Sequence, residues 1–96
     1  MKIFSGRSNN PLATEIANNL GINLGKIELY NFSDGELRVA FEENIRNEDV
    51  FIVQTGGYDE SYSINDYIME CLIIIDACRR SMTNSINVIM PCYPYA

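Results

Sequence analysis

The stretch Lys26-Ile27-Glu28-Leu29-Tyr30-Asn31-Phe32-Ser33-Asp34-Gly35-Glu36-Leu37-Arg38-Val39-Ala40-Phe41 decides how this chain is read. Residues 26–30 and 37–41 are strand-like runs, and Asp34-Gly35 supplies the turn between them. Gly accepts positive φ at little cost, and Asp can bond back to its own backbone. Around the turn, Phe32, Asp34 and Glu36 alternate with residues that can point the other way. One ring and two carboxylates on one side of a corner suit a flat, nitrogen-rich ligand. The ring can stack on it, and the acids can accept from an exocyclic amine or sugar hydroxyls. The same residues also suit an ordinary hairpin with a buried Phe and two solvated acids.

Working outward, residues 2–5 read as a short buried strand followed by the turn Gly6-Arg7-Ser8-Asn9. Asn10-Pro11 is a helix start, with Asn10 as cap and Pro pre-set for the first helical position. Leu12, Ile16 and Leu20 keep one face apolar, and Gly21 ends the helix. The loop Ser5-Gly6-Arg7-Ser8 could cradle a phosphate at that helix start, but it lacks the glycine density and Lys-Ser/Thr ending of a nucleotide loop. It reads as a plain strand-to-helix turn. Beyond the hairpin, a polar acidic connection (42–49) leads to the apolar run 50–54, of the kind found in a sheet covered on both faces. A polar loop (55–63) precedes a second helix from about Asn65-Asp66 to Met82. Its expected buried face is Ile68, Leu72, Ile75 and Met82, with Cys71 and Cys78 beside them. Residues 86–90 form a last strand. The order strand, helix, hairpin, strand, helix, strand implies an α/β layer with right-handed crossovers.

Composition narrows the function classes. With 96 residues the chain makes at most one domain. No run approaches the roughly 20 apolar residues needed to cross a bilayer, and the start leads straight into a strand rather than a signal peptide. No membrane role and a cytoplasmic location are expected. The formal charge of −6 argues against nucleic-acid binding, which depends on neutralising phosphates. Cys71, Cys78 and Cys92 are odd in number, sit in apolar runs and read as core thiols; with no histidine in the chain, no metal site is expected. Nothing in the chain neutralises a triphosphate, so any phosphoryl chemistry lacks its electrostatic half.

Four blocks carry a resemblance: Lys2-Ile3-Phe4-Ser5-Gly6, Phe32-Ser33-Asp34-Gly35-Glu36, Asn65-Asp66 with Met69-Glu70, and Pro91-Cys92-Tyr93-Pro94-Tyr95-Ala96. In order and at near-family spacing, they resemble the N-terminal third of ribose-phosphate pyrophosphokinase, also called phosphoribosyl pyrophosphate synthetase. The resemblance implies a type I phosphoribosyltransferase-like three-layer α/β domain, with a mainly parallel sheet and a projecting hairpin, in truncated form. Residues 1–96 would be an incomplete N-terminal domain, inactive alone. The activity implied is transfer of diphosphate from ATP to ribose 5-phosphate, with Mg²⁺, in an assembly with other copies of the chain (dimer, hexamer).

By the same resemblance, Phe32, Asp34 and Glu36 project into the ATP site of a neighbouring subunit. Phe32 would pack against the base, while Asp34 and Glu36 accept hydrogen bonds from it or position the loop. The catalytic loops and the metal ligands would lie outside this chain. The family's regulatory phosphate site falls on Asn44 and Arg46; the Arg is kept and the hydroxyl lost, so control by phosphate or ADP is not expected there. The 55–63 loop is a few residues longer than the family's. A non-catalytic subunit that binds and regulates active ones is the alternative, and a small packing module with accidental ligand contacts a third.

Overall fold

Val50 and Ile52 face one way and Phe51 and Val53 the other, and this alternation in a strand covered on both sides builds two apolar layers. The computed structural model describes residues 1–56, 61–91 and 95. Its elements are β1 (Lys2–Ser5), α1 (Asn10–Asn19), β2 (Ile27–Asn31), β3 (Leu37–Phe41), β4 (Asp49–Val53), α2 (Ile64–Arg80) and β5 (Ser85–Ile89). Strands β1, β4 and β5 form a parallel sheet in that order, with Lys2 opposite Val50 and Asp49 opposite Ser85. Strands β2 and β3 make a separate antiparallel pair in which Ile27 faces Phe41 and Asn31 faces Leu37. The expected order of elements and the α/β layering are both observed.

On one face, α1 brings Ala13, Leu12 and Ile16 against Ile3 and Val53. On the other, α2 brings Ile74 and Cys78 against Phe4, Val50 and Ile52, and the hairpin adds Ile27, Leu29, Val39 and Phe41. The Phe4 and Phe41 rings meet edge-on at 4.8 Å. Between α1 and β2 the chain runs along the side of β1, where the Gly25 amide donates to the Ile3 carbonyl at 2.7 Å. That path carries it from the α1 face to the opposite face.

The helices depart from the sequence reading in register. Asn9, not Asn10, caps α1: its side chain accepts from the Leu12 amide at 3.2 Å. Asn10 has joined the first turn, where its Oδ1 accepts from the Thr14 hydroxyl. Leu12 and Ile16 pack as expected, but Leu20 is 55% exposed, and the fully covered positions are Ala13 and Ala17. The small side chains let the helix seat against the sheet while the larger residues flank it. Helix α2 begins with a capping box, in which Ser63 Oγ accepts from the Asp66 amide and the Asp66 carboxylate from the Ser63 amide.

The buried stripe of α2 is Tyr67, Glu70, Cys71, Ile74, Ala77 and Cys78. Leu72 and Met82, expected inside, are 54% and 60% exposed. The stripe keeps helical spacing but runs through a tyrosine and a glutamate, which disguises it in a hydrophobicity pattern. Burial raises the thiol pKa of Cys71, and that of Cys78 to about 11, so both are inert protonated core groups at neutral pH. Cys92 and most of the terminal block lie outside the described residues, as do residues 57–60 of the loop read as long.

Ile74→Ala is expected to cost about 2–5 kcal/mol in urea unfolding and Leu72→Ala only about 0.5 kcal/mol. Equal losses would contradict the observed register of α2.

Two carboxylates tie the fold to pH. Glu43 is held below its ordinary value of 4.5 by a 2.8 Å hydrogen bond from Lys2 and by the Lys26 amide. Asp49 is held below 3.8 by Ser85 and Asn84, each at 2.7 Å across the β4–β5 seam. Both shifts are downward, so their contribution is complete above the ordinary carboxylate range and is lost as pH falls through the lowered values. The thermal midpoint should be level from neutrality to about pH 5 and fall below about pH 4, with Asp49→Asn flattening that fall. An unchanged acid slope in Asp49→Asn would show that the seam does not titrate.

Candidate functional site

Ligands gather at the carboxyl ends of parallel strands in open α/β sheets. In this fold that edge is occupied by a polar network that begins inside the protein. Glu70 on α2 has no solvent exposure, and a charge in that position needs partners on both oxygens. Arg7 Nε donates to its Oε1 at 2.8 Å, and Gln54 Nε2 donates to its Oε2 at 2.8 Å. The Arg7 amide lies 3.3 Å from the same carboxylate.

Gln54, just past β4, is itself fully used. Its Nε2 also donates to the Tyr67 carbonyl at 3.3 Å, and its Oε1 accepts from the Ser8 amide and the Ser8 hydroxyl. The Thr55 amide in turn donates to Ser8 Oγ at 2.8 Å. Gly6 is required by this arrangement. A Cβ there would collide with the Gln54 side-chain amide, and Gln54 is buried, so it cannot give way. The Gly6-Arg7-Ser8 loop is therefore a strand-to-helix turn whose polar groups are engaged within the protein.

From this network Arg7 reaches outward. Its NH1 donates to Tyr62 Oη at 2.8 Å and to Asn31 Oδ1 at 2.9 Å, and its guanidinium carbon lies 4.3 Å from the centre of the Tyr62 ring. Asn31 Nδ2 then donates to the Gly35 carbonyl at 3.0 Å, inside the turn. A chain of hydrogen bonds thus runs from a buried carboxylate to the hairpin tip.

The tip is a three-residue loop. The Gly35 amide donates to the Phe32 carbonyl at 2.9 Å, the Phe32 amide to the Glu36 carbonyl at 2.7 Å, and Gly35 has φ +93°. This is a β-turn closed by a left-handed residue, and it explains the glycine. Asp34 Oδ1 accepts from the Glu36 amide at 3.0 Å, the local backbone bond expected of Asp in a turn.

Phe32, Asp34 and Glu36 all lie exposed on the tip, and of the three only Glu36 borders the neighbouring cleft. Phe32 is 46% exposed and edge-on to Tyr30 at 5.5 Å. Between hairpin and α2 lies an open cleft of about 410 Å³ bordered by Arg7, Asn31, Glu36, Tyr62, Asp66 and Met69. It presents acceptors, one guanidinium and aromatic surface, a set suited to a polar heterocycle rather than to a polyphosphate.

Asn44 and Arg46 do not border this cleft. Asn44 Oδ1 accepts from the Arg46 amide at 3.0 Å, a turn-closing bond. Among the described residues no group of three or more His, Cys, Asp or Glu side chains is placed to hold a metal ion.

The Arg7–Glu70–Gln54 network was invisible as a site in the sequence. Its one signal is Glu70 itself, a charge set within the stripe of Tyr67, Ile74 and Ala77.

A family model described as the N-terminal domain of ribose phosphate pyrophosphokinase matches residues 1–96. Ribose-phosphate pyrophosphokinases of Staphylococcus epidermidis and Staphylococcus saprophyticus are 51% and 49% identical to the chain over its full 96 residues, which span 29% of each relative. The phosphoribosylpyrophosphate synthetase of Mycobacterium smegmatis superposes over 98% of the chain and 30% of its own, with a TM-score of 0.89 and 34% identity. A purine phosphoribosyltransferase of Pyrococcus horikoshii shares the fold, with a TM-score of 0.61 at 13% identity over 98% of this chain and 64% of its own.

Glu70→Gln should lower stability by about 3 kcal/mol, near the lower end expected for breaking a buried pair because Arg7 keeps contact with water. Asp76→Asn, which breaks the exposed Arg80–Asp76 pair one turn apart, should hardly move the urea midpoint. Equal effects would mean that Glu70 is not the buried anchor described.

Proposed function

The chain belongs to the family of ribose-phosphate pyrophosphokinase N-terminal domains, and from that premise we propose that it forms the ATP-side part of an enzyme making phosphoribosyl pyrophosphate. The chain spans about 29% of its curated relatives, so the activity proposed is that of the complete protein. In the reaction, the 1-hydroxyl oxygen of ribose 5-phosphate bonds to the β-phosphorus of ATP. The bond from that phosphorus to the α–β bridging oxygen breaks, and AMP leaves. The hydroxyl proton passes to a base outside this chain, and the magnesium that accompanies ATP is held outside it as well. The product serves nucleotide biosynthesis in the cytoplasm.

Within this reading the chain binds rather than transforms. The hairpin tip reaches into the ATP site of a neighbouring copy. Phe32 packs its exposed face on the adenine, where an aromatic surface gains from both area and stacking. Asp34 and Glu36 accept from the exocyclic amine or shape the loop that does. The observation that carries the reading is the exposed Phe32 ring beside two carboxylates on a turn with its own internal bonds. Such a tip is built before its ligand arrives, which lowers the ordering cost of binding.

In the complete protein, Phe32→Ala should raise the KM for ATP roughly tenfold or more, the loss expected of a buried aromatic contact, and leave the KM for ribose 5-phosphate within about twofold. Equal rises for both substrates would point to a folding defect and remove the tip from the ATP site. Residues 1–96 alone should make no phosphoribosyl pyrophosphate, and measurable turnover would overturn this division of labour.

A further inference from the structure

The apolar anchor of the hairpin covers only its base. Ile27, Leu29, Val39 and Phe41 pack into the core, but from Tyr30 through Glu36 every residue is exposed. A two-stranded ribbon is marginal by itself, so an unsupported outer half would swing about its base. The chain of hydrogen bonds from Glu70 through Arg7 and Asn31 to the Gly35 carbonyl meets that outer half.

We propose that Arg7 is a positioning residue: it locks the Phe32–Glu36 tip to the α2 core at the angle from which the tip meets its nucleotide. The inference rests on the reading that the tip contacts ATP. The chemistry of the link requires a guanidinium. Nε serves Glu70 at 2.8 Å while NH1, on the same rigid plane, serves Asn31 at 2.9 Å and Tyr62 at 2.8 Å. The direction in which Asn31 is held therefore follows from the direction of a carboxylate fixed in the core. A lysine carries one point charge on a flexible stem and cannot hold both ends in a fixed relation. Asn31 completes the transmission because its amide accepts on one side and donates to the turn on the other. Tyr62 braces the guanidinium laterally, by ring contact and hydroxyl together.

The test uses the complete protein, without nucleotide for hydrogen exchange and with both substrates for kinetics. Arg7→Ala risks unfolding by leaving Glu70 unpaired, so Arg7→Lys and Asn31→Ala are the informative variants. Each should speed amide exchange in peptides spanning residues 30–37 by roughly fivefold to tenfold, the effect of losing one or two hydrogen bonds, while peptides from α1 exchange as before. Each should raise the KM for ATP by a similar factor with the KM for ribose 5-phosphate and the melting temperature nearly unchanged. Asn31→Asp keeps an acceptor for Arg7 and should recover part of the protection.

Wild-type exchange at the tip in both variants overturns the proposal. So does a rise in both KM values together with a fall in melting temperature, since that is the mark of a merely structural role. Phe32→Ala separates this inference from the reading beneath it. If Phe32→Ala leaves the KM for ATP unchanged, the nucleotide reading fails, and a role for Arg7 in nucleotide binding fails with it even where exchange at the tip still accelerates.

Discussion

A carboxylate with no access to water is the constraint on which the rest of this structure depends. Glu70 sits on the inner stripe of α2, and removing an ionised group from solvent costs several kcal/mol unless each oxygen finds a donor. The donors come from two distant places in the chain, Arg7 after the first strand and Gln54 after the fourth. Satisfying one side chain thereby fixes the relative positions of two loops at the carboxyl edge of the sheet. It also dictates Gly6, the only residue type with room for Gln54 against its backbone. Among the described residues no buried side-chain nitrogen or oxygen lacks a hydrogen-bond partner, so the network is closed as well as buried.

The same network has an outlet, through Arg7 to Asn31 and the turn. Among the described residues the hairpin pairs with no other strand, and it rests on the core by its base. It is a lever whose fulcrum is apolar and whose far arm is held by polar bonds. On the proposed reading, in which the tip meets a nucleotide in another copy, the surface gains from such construction. Phe32, Asp34 and Glu36, the residues proposed to make that contact, stay outside the fold, and their direction is inherited from inside it. The family relationship supports the nucleotide reading, and the network supplies a physical reason why the tip should be rigid enough to serve it.

How much of this was legible in the sequence depends on the range of the interactions involved. The hairpin, its Asp-Gly corner and the strands were readable because turn chemistry and period-two patterning act over a few residues. The Asx bond of Asp34 follows from the same local rule. Helix registers were harder. Ala13 and Ala17 are the buried positions of α1 because the sheet lies close, and nothing in α1 itself announces that distance. In α2 a hydrophobic count favours Leu72 over Tyr67 and Glu70, yet the polar pair is inside because partners elsewhere satisfy it, and Met82, expected on the same face, lies beyond the end of the helix. The site network was beyond reach altogether: Arg7 and Glu70 are 63 residues apart, and Ser8 and Gln54 are 46 apart. Of its members only Glu70 left a trace, as a charge in an otherwise apolar stripe.

A structure of the complete protein with a non-hydrolysable ATP analogue measures the decisive distance. The Phe32 ring of one copy should lie within about 4 Å of the adenine bound to a neighbouring copy, the reach of direct packing, with Asp34 or Glu36 at hydrogen-bond distance from the base. An adenine seated elsewhere, with the hairpin tip turned to solvent in every copy, would contradict the account.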